Sequence, residues 1–249
     1  MINFKDNFSK QADIYRQYRP SYPEELFNYL QSLTPEHDLA WDCGTGNGQS
    51  AVSLAKYFKQ VYASDPSENQ ISNATLHERI TYKVERAEHS ELNDHSVDLV
   101  TIAQAIHWFN FDQFYKEVKR VLKLKGIIAV WTYGLTFITD EIDAVTQHFH
   151  DHVVGDFWLP ENKLVEQEYK TIPFPFREIT PPSFTIESTL NLDDLLGYFR
   201  SWSATQKFMD KHHKNPLEQL KKDLLPLWGE ENTKRNVTRK LILKVGQVN

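Results

Sequence analysis

The chain has 249 residues, 40% hydrophobic and 25% charged, which is long enough to bury the core of one α/β domain. Its net charge of −6 argues against a nucleic-acid partner, because phosphate binding needs a basic surface. One cysteine excludes an internal disulfide, no apolar run approaches the ~18 residues of a membrane span, and residues 1–20 lack the apolar core of a secretory signal. We therefore expect a cytoplasmic protein with no membrane partner.

The N-terminal segment predicts two helices. Apolar residues recur at helical spacing over 3–17 and indicate the first. The prolines of "RPSYP" (19–23) end it, since proline restricts the residue before it. Pro23 and the two glutamates after it are typical of a helix start. We assign residues 1–35 to an N-terminal helical cap.

From residue 39 onward, strand and helix signals alternate. The predicted strands span 39–42, 60–65, 80–85, 96–104 and 126–134, and the predicted helices span 49–58, 67–78 and 111–123. The run 96–104 is almost continuously apolar, as a buried parallel strand should be. This pattern of five βα repeats predicts a doubly wound, mostly parallel Rossmann-like sheet over residues 36–135.

After residue 134 the alternation stops. Helices are predicted over 140–153, 190–208 (with Asn191 as its N-cap) and 216–227, and an alternating strand over 238–248. We expect 177–188 and the last strand to complete one edge of a seven-stranded sheet. Residues 1–249 then form one domain, with 136–230 as a substrate lid and edge strand and 231–249 as the final edge strand.

The stretch "DLAWDCGTGNGQS" (38–50) holds three of the nine glycines, at 44, 46 and 48. They follow the first strand and open a helix, at the corner where open α/β sheets bind ligands. Glycines there let the backbone turn sharply and let a ligand approach it closely. The dinucleotide pattern G-x-G-x-x-G would need glycine at Gln49, and no Gly-Lys-Ser/Thr of a phosphate-binding loop follows.

Two carboxylates indicate what this corner binds. Asp42 precedes the glycines and would repel a pyrophosphate but attract an ammonium group. Asp65 ends the second strand, where a carboxylate can accept hydrogen bonds from both hydroxyls of a ribose. A cationic amino acid joined to an adenosine ribose describes S-adenosylmethionine.

Four further motifs stand in order along the chain. They are "YRPSYP" (18–23), "ERAEHSEL" (85–92), "AQAIHWF" (103–109) and "EVKRVLKLKGIIAVW" (117–131). With the glycine cluster, residues 4–135 resemble the class I S-adenosylmethionine-dependent methyltransferases. Within that class they look most like the small-molecule branch of trans-aconitate-type enzymes.

The resemblance implies a set of cofactor-binding residues. Tyr15 and Arg19 would close over the cofactor, Arg19 toward its carboxylate. The others it implies are Asp42, Gly44 and Gly46 for the methionine part, Asp65 and Pro66 near the ribose, Gln70, Ala87 and Glu88 at the adenine, and Gln104 and Ala105 near the sulfonium. Arg86 stands where relatives carry an acid, which leaves the adenine amine without that side-chain contact. Arg19 could instead fix the "RPSYP" turn by an ion pair.

The acceptor side is less defined by sequence. By the same resemblance His107 and Trp108 lie at the mouth of the acceptor pocket, and His107 is the candidate base. His107 as a hydrogen-bonded pocket residue without a proton-transfer role is the alternative. Tyr198 and Trp202 share a helix face and are candidates for an aromatic pocket wall. Arg177 or Arg200 could anchor an anionic acceptor.

No metal site is predicted, because His148, His150 and His152 alternate in a presumed helix and cannot face one ion. The main hypothesis is methyl transfer by in-line displacement to a small-molecule acceptor, giving S-adenosylhomocysteine. A nicotinamide-dependent oxidoreductase and a non-catalytic S-adenosylmethionine-binding protein are the alternatives. Nucleic-acid methylation is disfavoured, because 103–109 lacks the Asn-Pro-Pro-aromatic signature. The acceptor, the methylated atom and the oligomeric state stay open.

Overall fold

Eight strands form one mixed sheet in the computed structural model, which describes residues 18–248. They are β1 Leu39–Cys43, β2 Gln60–Asp65, β3 Ile80–Val84, β4 Val97–Ala103, β5 Leu122–Tyr133, β6 Arg177–Ile179, β7 Phe184–Leu190 and β8 Arg235–Gln247. Their order is β3-β2-β1-β4-β5-β8-β6, with β7 also paired to β8. Strands β1 to β5 are parallel and β8 is antiparallel to β5. The predicted doubly wound, mostly parallel sheet is confirmed.

Nine α-helices accompany the sheet within residues 18–248. They are α1 Glu24–Ser32, α2 Gln49–Leu54, α3 Glu68–Ser72, α4 Phe111–Val121, α5 Asp140–His148, α6 Asn162–Glu166, α7 Leu192–Arg200, α8 Ser203–His212 and α9 Leu217–Trp228. A π-helical turn, Phe149–Val153, continues α5, and short 3-10 turns span Ile106–Trp108 and Gly155–Phe157. Across the described part of the chain, none of the helices has both the length and the apolar content to cross a membrane.

Each face of the sheet packs against its own hydrophobic core. Successive strand residues point to opposite faces, so Ala40 joins one core and Trp41 the other. The core that contains Ala40 also takes apolar residues from α1, α2, α5, α7 and α9. The opposite core takes Phe114, Val118 and Val121, which α4 presents on one face by their spacing. This double layer covers the parallel strands and leaves their carboxyl ends to the loops.

The edge of the sheet carries one strand more than predicted. β6 and β7 lie along the same side of β8, with Ile179 opposite Val245 and Phe184 opposite Leu241. Pro181 and Pro182 separate the two strands, since proline has no N–H to donate to a ladder. The expectation that 177–188 and the last strand complete the edge is confirmed, although β8 begins earlier than predicted.

Two connections in the first half contain less helix than predicted. α3 has five residues instead of the predicted 67–78, and the Asn73 side chain donates to the Asn69 carbonyl at 2.9 Å just after the helix ends. Such local side-chain bonds compete with helix extension. α2 likewise ends at Leu54 instead of the predicted residue 58, whereas no helix lies between β3 and β4, where none was predicted.

The helix predicted over 190–208 is two helices. Its start at Asn191 is confirmed by a capping box with Asp194. α7 ends where the Ser201 hydroxyl donates to the Tyr198 carbonyl at 2.6 Å, and Trp202 is extended, with ψ of 134°. The predicted helix over 140–153 likewise changes to a π turn at its end. The start of α1 after Pro23 is confirmed.

The helix predicted over 3–17, with Tyr15, lies outside the described residues. The division into a cap, a core, a lid and a final strand stays a prediction.

A buried ion pair holds the loop after β3 against α4. Glu117 Oε1 accepts from the Ser90 backbone N–H at 2.8 Å, the Ser90 hydroxyl at 2.7 Å and Arg120 Nη2 at 2.6 Å. Burial acts to raise the pKa of Glu117, but the bonds from Arg120 and Ser90 outweigh it and hold the pKa below its usual range. The Glu117 network therefore fixes the loop that contains the predicted adenine contacts.

We expect Glu117→Gln to lower the free energy of unfolding by about 2 kcal/mol, because it removes charged hydrogen bonds from a buried position. Urea unfolding measures the change. The lowered pKa also predicts a pH dependence. The stabilisation by ionised Glu117 is fully present at pH values above the ordinary pKa of a glutamate, and it is lost as the pH falls through the pKa of Glu117 in the folded state. Glu91→Gln, which breaks the exposed pair with Lys83, is the control, with an expected loss below ~1 kcal/mol. Equal losses in the two variants would contradict the assignment.

Candidate functional site

The loop after β1 is built around glycines with left-handed backbones. Gly44, Gly46 and Gly48 have φ of 70°, 55° and 86°, a region that L side chains rarely adopt. A Cβ on Gly44 would lie 2.5 Å from the Cβ of Ala105, and one on Gly48 would meet the hydroxyl of Tyr82. The loop is therefore pressed against the loop after β4 with no room for a side chain.

Asp42 supports this loop from inside. It is fully buried, and its carboxylate accepts from the hydroxyls of Thr45 at 2.5 Å and Thr101 at 2.8 Å. Burial raises the pKa of Asp42 to about 6, although these hydrogen bonds act in the opposite direction. Asp42, which was predicted to face an ammonium group, therefore lies behind the glycine loop after β1. Its charge can act on a ligand only across that loop.

Asp65 joins the loops after β1 and β2. Its Oδ2 accepts from the Gly46 backbone N–H and its Oδ1 from the Ser67 backbone N–H, both at 2.9 Å. Pro66 lies between the bonded residues, and the Ser67 hydroxyl caps α3 by accepting from the Gln70 backbone N–H at 3.3 Å. Asp65 is therefore fixed at the predicted ribose position, beside the glycine loop.

Gln70 also faces the glycine loop. Its side chain is buried, and its Oε1 lies 3.8 Å from the point where a Cβ of Gly46 would be. This oxygen has no hydrogen-bond partner among the described residues. Buried polar atoms in native proteins are nearly always paired, so the oxygen marks a place for a ligand group that donates.

The predicted adenine loop is tied to the loop after β4. Ala87 is buried, and Glu88 accepts from the Asn110 backbone N–H at 3.0 Å and from Arg86 Nε at 3.3 Å. Arg86, the residue that departs from the related pattern, thus pairs with its neighbour. Glu88 positions the two loops on which the predicted cofactor contacts lie.

Gln104 ends β4 in a left-handed conformation with φ of 56°. Its backbone N–H donates to the Trp131 carbonyl at 2.9 Å, its Oε1 accepts from the Thr132 hydroxyl at 2.6 Å, and its Nε2 donates to the Tyr133 carbonyl at 3.3 Å. Three bonds to β5 hold this strained residue, and strain of this kind collects at functional sites. The next residue, Ala105, carries the contact with Gly44.

A cavity of about 540 Å³ opens beside Gln104 at the carboxyl ends of β4 and β5. Six of the predicted site residues line it, namely Arg19, Gln104, His107, Trp108, Tyr198 and Trp202. Tyr133, Phe137 and Trp158 add aromatic surface, and further polar residues come from α5, α6 and β8. The structure therefore brings together predicted site residues from three separate segments of the chain.

His107 is buried in the wall of this cavity. Its Nδ1 lies 2.8 Å from the hydroxyl of Tyr169, and burial lowers its pKa to about 3. A general base works best when its pKa lies near the operating pH. The geometry of His107 therefore favours the alternative role, a neutral hydrogen-bonding residue, over the candidate base.

Arg19 joins the N-terminal segment to the site. Its guanidinium donates to the Tyr133 hydroxyl and to the Ser201 carbonyl, each at 3.3 Å, and lies 5.5 Å from the centre of the Tyr198 ring. These contacts span the end of β5 and the break between α7 and α8. Arg19 therefore contacts residues far from its own turn in sequence. Its contact with a cofactor carboxylate stays a prediction.

Sequence reasoning gave no site role to His150 and Asp151, which line the cavity. Both lie in the π-helical turn, and its wider spacing is not visible in a periodicity that continues from α5. Arg177 and Arg200, the suggested anchors for an anion, are exposed and do not line this cavity.

These loops, the left-handed glycines and the aromatic cavity beside them lie at the ligand-binding end of a Rossmann-like sheet. Comparisons with known proteins show the class of protein. Residues 41–130 match a family model described as a methyltransferase domain. A Dictyostelium discoideum protein named as a methyltransferase is 38% identical over 226 residues, which is 89% of this chain and 86% of that protein. The chain belongs to the class I S-adenosylmethionine-dependent methyltransferase family.

Two further relatives are consistent with this membership. A solved structure from Anaeromyxobacter dehalogenans, described as a type II methyltransferase, has a TM-score of 0.87 at 38% identity and covers 92% of this chain and 98% of its own. A Saccharomyces cerevisiae protein named for S-adenosylmethionine-dependent methyl transfer is 32% identical over 144 residues, about half of each chain (54% and 50%).

The raised pKa of Asp42 predicts an unusual pH dependence of stability. In the folded state the Asp42 carboxyl stays protonated up to about pH 6, whereas an ordinary aspartate loses its proton near pH 3.8. The folded state thus binds more protons in that window, so the free energy of unfolding should fall as the pH rises through it, by about 3 kcal/mol. Asp42→Asn removes this contribution.

Urea titrations of the wild type and of Asp42→Asn at about pH 4 and about pH 7 measure the effect. We expect the wild type to lose stability relative to the variant as the pH rises. A difference between the two proteins that does not change with pH would contradict the burial of an ionisable Asp42.

We expect Gly44→Ala to lower the free energy of unfolding by about 2–4 kcal/mol, from the left-handed backbone and the collision with Ala105 together. Gly155→Ala is the control, because its added Cβ would come no closer than 3.6 Å to another residue and its φ is not left-handed. Chemical unfolding of both variants makes the comparison, and similar losses would mean that the loops are not packed as described.

Proposed function

We propose that this protein transfers a methyl group from S-adenosylmethionine to a small molecule bound in the cavity. The observation that carries this proposal is the pair Gln104 and Ala105. Ala105 packs against Gly44 in the predicted cofactor loop, and Gln104 lines the cavity. A ligand on the glycine loop and a second ligand in the cavity would therefore meet at the end of β4.

The residues of the glycine corner fit S-adenosylmethionine. The left-handed glycines leave the peptide groups accessible to a close ligand. The backbone N–H groups of Gly46 and Ser67 orient the Asp65 carboxylate, the kind of group that accepts hydrogen bonds from ribose hydroxyls. The unpaired Oε1 of Gln70 can accept from a ligand donor. When bound, S-adenosylmethionine supplies a methyl carbon activated by its sulfonium.

The protein's own contribution is alignment and the exclusion of water. Proximity and orientation can account for roughly 7–11 kcal/mol of a reaction barrier. The bonds that hold Gln104 to β5, and the aromatic walls of the cavity, make that geometry rigid. In the proposal these features position the acceptor, and the chemistry needs little else from the chain.

The size and charge of the cavity support a small acceptor. About 540 Å³ lies within the range of roughly 300–1,000 Å³ that small-molecule sites occupy. Four carboxylates line it, namely Asp143, Asp151, Glu166 and Glu168, and the whole chain carries a net charge of −6. Nucleic acid, as a polyanion, is therefore not part of the proposal.

The cavity also favours an acceptor with little negative charge. Its cations among the described residues are Arg19 and Lys240. Arg19 donates to Tyr133 and Ser201, and Lys240 pairs with Glu168 at 3.3 Å. A polycarboxylate of the trans-aconitate type would have to displace these contacts. We therefore propose that the acceptor is a small molecule that is uncharged or weakly acidic.

Calorimetric titration with S-adenosylhomocysteine tests the cofactor. We expect saturable binding, weakened about 5- to 150-fold by Asp65→Ala, because that change leaves buried hydrogen-bonding groups unpaired. Glu68→Gln, an exposed change in the first turn of α3, should leave the affinity unchanged. Unchanged affinity in Asp65→Ala would show that the ribose is held elsewhere.

Two outcomes would replace the proposal. Saturable binding of NAD without binding of S-adenosylhomocysteine would indicate the nicotinamide-dependent alternative. Binding of S-adenosylmethionine with no methylated product from a broad metabolite panel would indicate a non-catalytic binding protein.

A further inference from the structure

A π-helical turn places a histidine on the wall of the cavity that Gln104 also lines. The backbone N–H of Val154 donates to the Phe149 carbonyl at 3.0 Å, which closes the wide turn Phe149–Val153 after α5. π-helical turns occur frequently at functional sites. Of the histidines on this segment, His150 lines the cavity, whereas His148 is exposed and does not.

The His150 ring is held from several sides. Its Nδ1 lies 2.7 Å from Oδ1 of Asp151, and the other oxygen of Asp151 accepts from Gln147 Nε2 at 2.7 Å. The rings of Trp158 and Trp202 lie 5.0 Å and 5.5 Å from the imidazole centre. Trp158 also donates its indole N–H to the His150 carbonyl at 3.3 Å. These contacts fix both the position and the tilt of the imidazole.

This arrangement leaves one ring nitrogen available. No described residue forms a hydrogen bond with Nε2 of His150. A carboxylate beside Nδ1 favours the tautomer with the proton on that nitrogen, which leaves Nε2 to accept a hydrogen bond. His107, the other histidine of the cavity, has its Nδ1 engaged with Tyr169 and lacks such a carboxylate.

The other charged groups of the cavity wall have contacts of their own. Asp143, on α5, accepts from the Ile138 backbone N–H at 2.9 Å, and Glu168 pairs with Lys170 and Lys240. Glu166 is exposed at the end of α6, and Arg19 donates to Tyr133 and Ser201. Asp151 is the acid that contacts His150 itself.

Two buried polar atoms line the same cavity. Thr136 Oγ1 and Asn162 Oδ1 have no hydrogen-bond partner among the described residues. Such atoms are rarely left unpaired, so they indicate where a polar group of a ligand binds. Six Trp, Tyr and Phe residues, Trp158 and Trp202 among them, line the same cavity, and flat rings pack well against such side chains.

We propose that the acceptor is a flat aromatic compound with a phenol-type hydroxyl, and that Nε2 of His150 receives the proton of that hydroxyl. This inference rests on the proposed function. The O–H electron pair stays on the oxygen, which forms the bond to the methyl carbon, while the electrons of the broken carbon–sulfur bond leave on sulfur. The proton is then released from His150 to solvent.

The test uses 4-nitrophenol as a probe, because its phenolate absorbs visible light. In a pH titration of the full-length protein loaded with S-adenosylhomocysteine, we expect the bound probe to ionise about 1 to 3 pH units lower than the free probe, because the phenolate would lie beside the protonated imidazole. In His150→Gln this shift should disappear. In Asp151→Asn it should shrink, since the stabilising carboxylate is gone.

His148→Gln is the matched control, and it should behave as the wild type does. Calorimetry with S-adenosylhomocysteine checks that each variant retains the fold and the cofactor site. A wild type that does not bind the probe, or binds it without the shift, overturns the inference, and so does a His150→Gln variant that keeps the shift. If S-adenosylhomocysteine itself does not bind the wild type, the proposed function fails first and takes this inference with it.

Discussion

Gly44 and Ala105 approach so closely that one added methyl group would collide, and the rest of the site depends on this contact. It brings the loop after β1 against the loop after β4. The glycine corner and the aromatic cavity therefore share a wall, at Gln104 and Ala105. A side chain between the two loops would separate the ligand on one from the ligand on the other.

Both sides of that wall use carboxylates supported by neutral donors. At the glycine corner Asp42 is buried behind the loop, with the hydroxyls of Thr45 and Thr101 on its oxygens. Burying a carboxylate is unfavourable unless it is paired, so a cationic ligand group near the loop would relieve part of that penalty. In the cavity the exposed carboxylate of Asp151 contacts Nδ1 of His150 instead. The two acids are at opposite ends of the proposed reaction.

The sequence predicts the cofactor half of the molecule better than the acceptor half. Strands such as 60–65 have an apolar centre and end in a polar residue, so their order and the corner at Gly44 follow from pattern alone. The end of α7 at Ser201 does not follow from the sequence pattern, because apolar residues continue at helical spacing through Trp202. Contacts with distant parts of the chain accompany this break. Arg19, from a distant segment, donates to the Ser201 carbonyl.

His150 shows the same limitation at a single position. In a regular α-helix the alternating histidines of this segment point to different sides, so the pattern indicates no shared site. In the folded protein His150 lies in a π turn, and Asp151, Trp158 and Trp202 lie around its ring. Which segments line a cavity depends on packing between parts of the chain that are far apart in sequence.

In the proposed complex one nucleoside lies across the corner between β1 and β4 with its sulfur toward the cavity. A crystal structure of the protein with S-adenosylhomocysteine would show this position. We expect ribose hydroxyls on Asp65, the amino-acid part on the backbone near Gly44, and the sulfur beside Gln104 facing Trp108 and Trp202. A complex in which the nucleoside lies elsewhere, or in which protein atoms fill this corner, would contradict it.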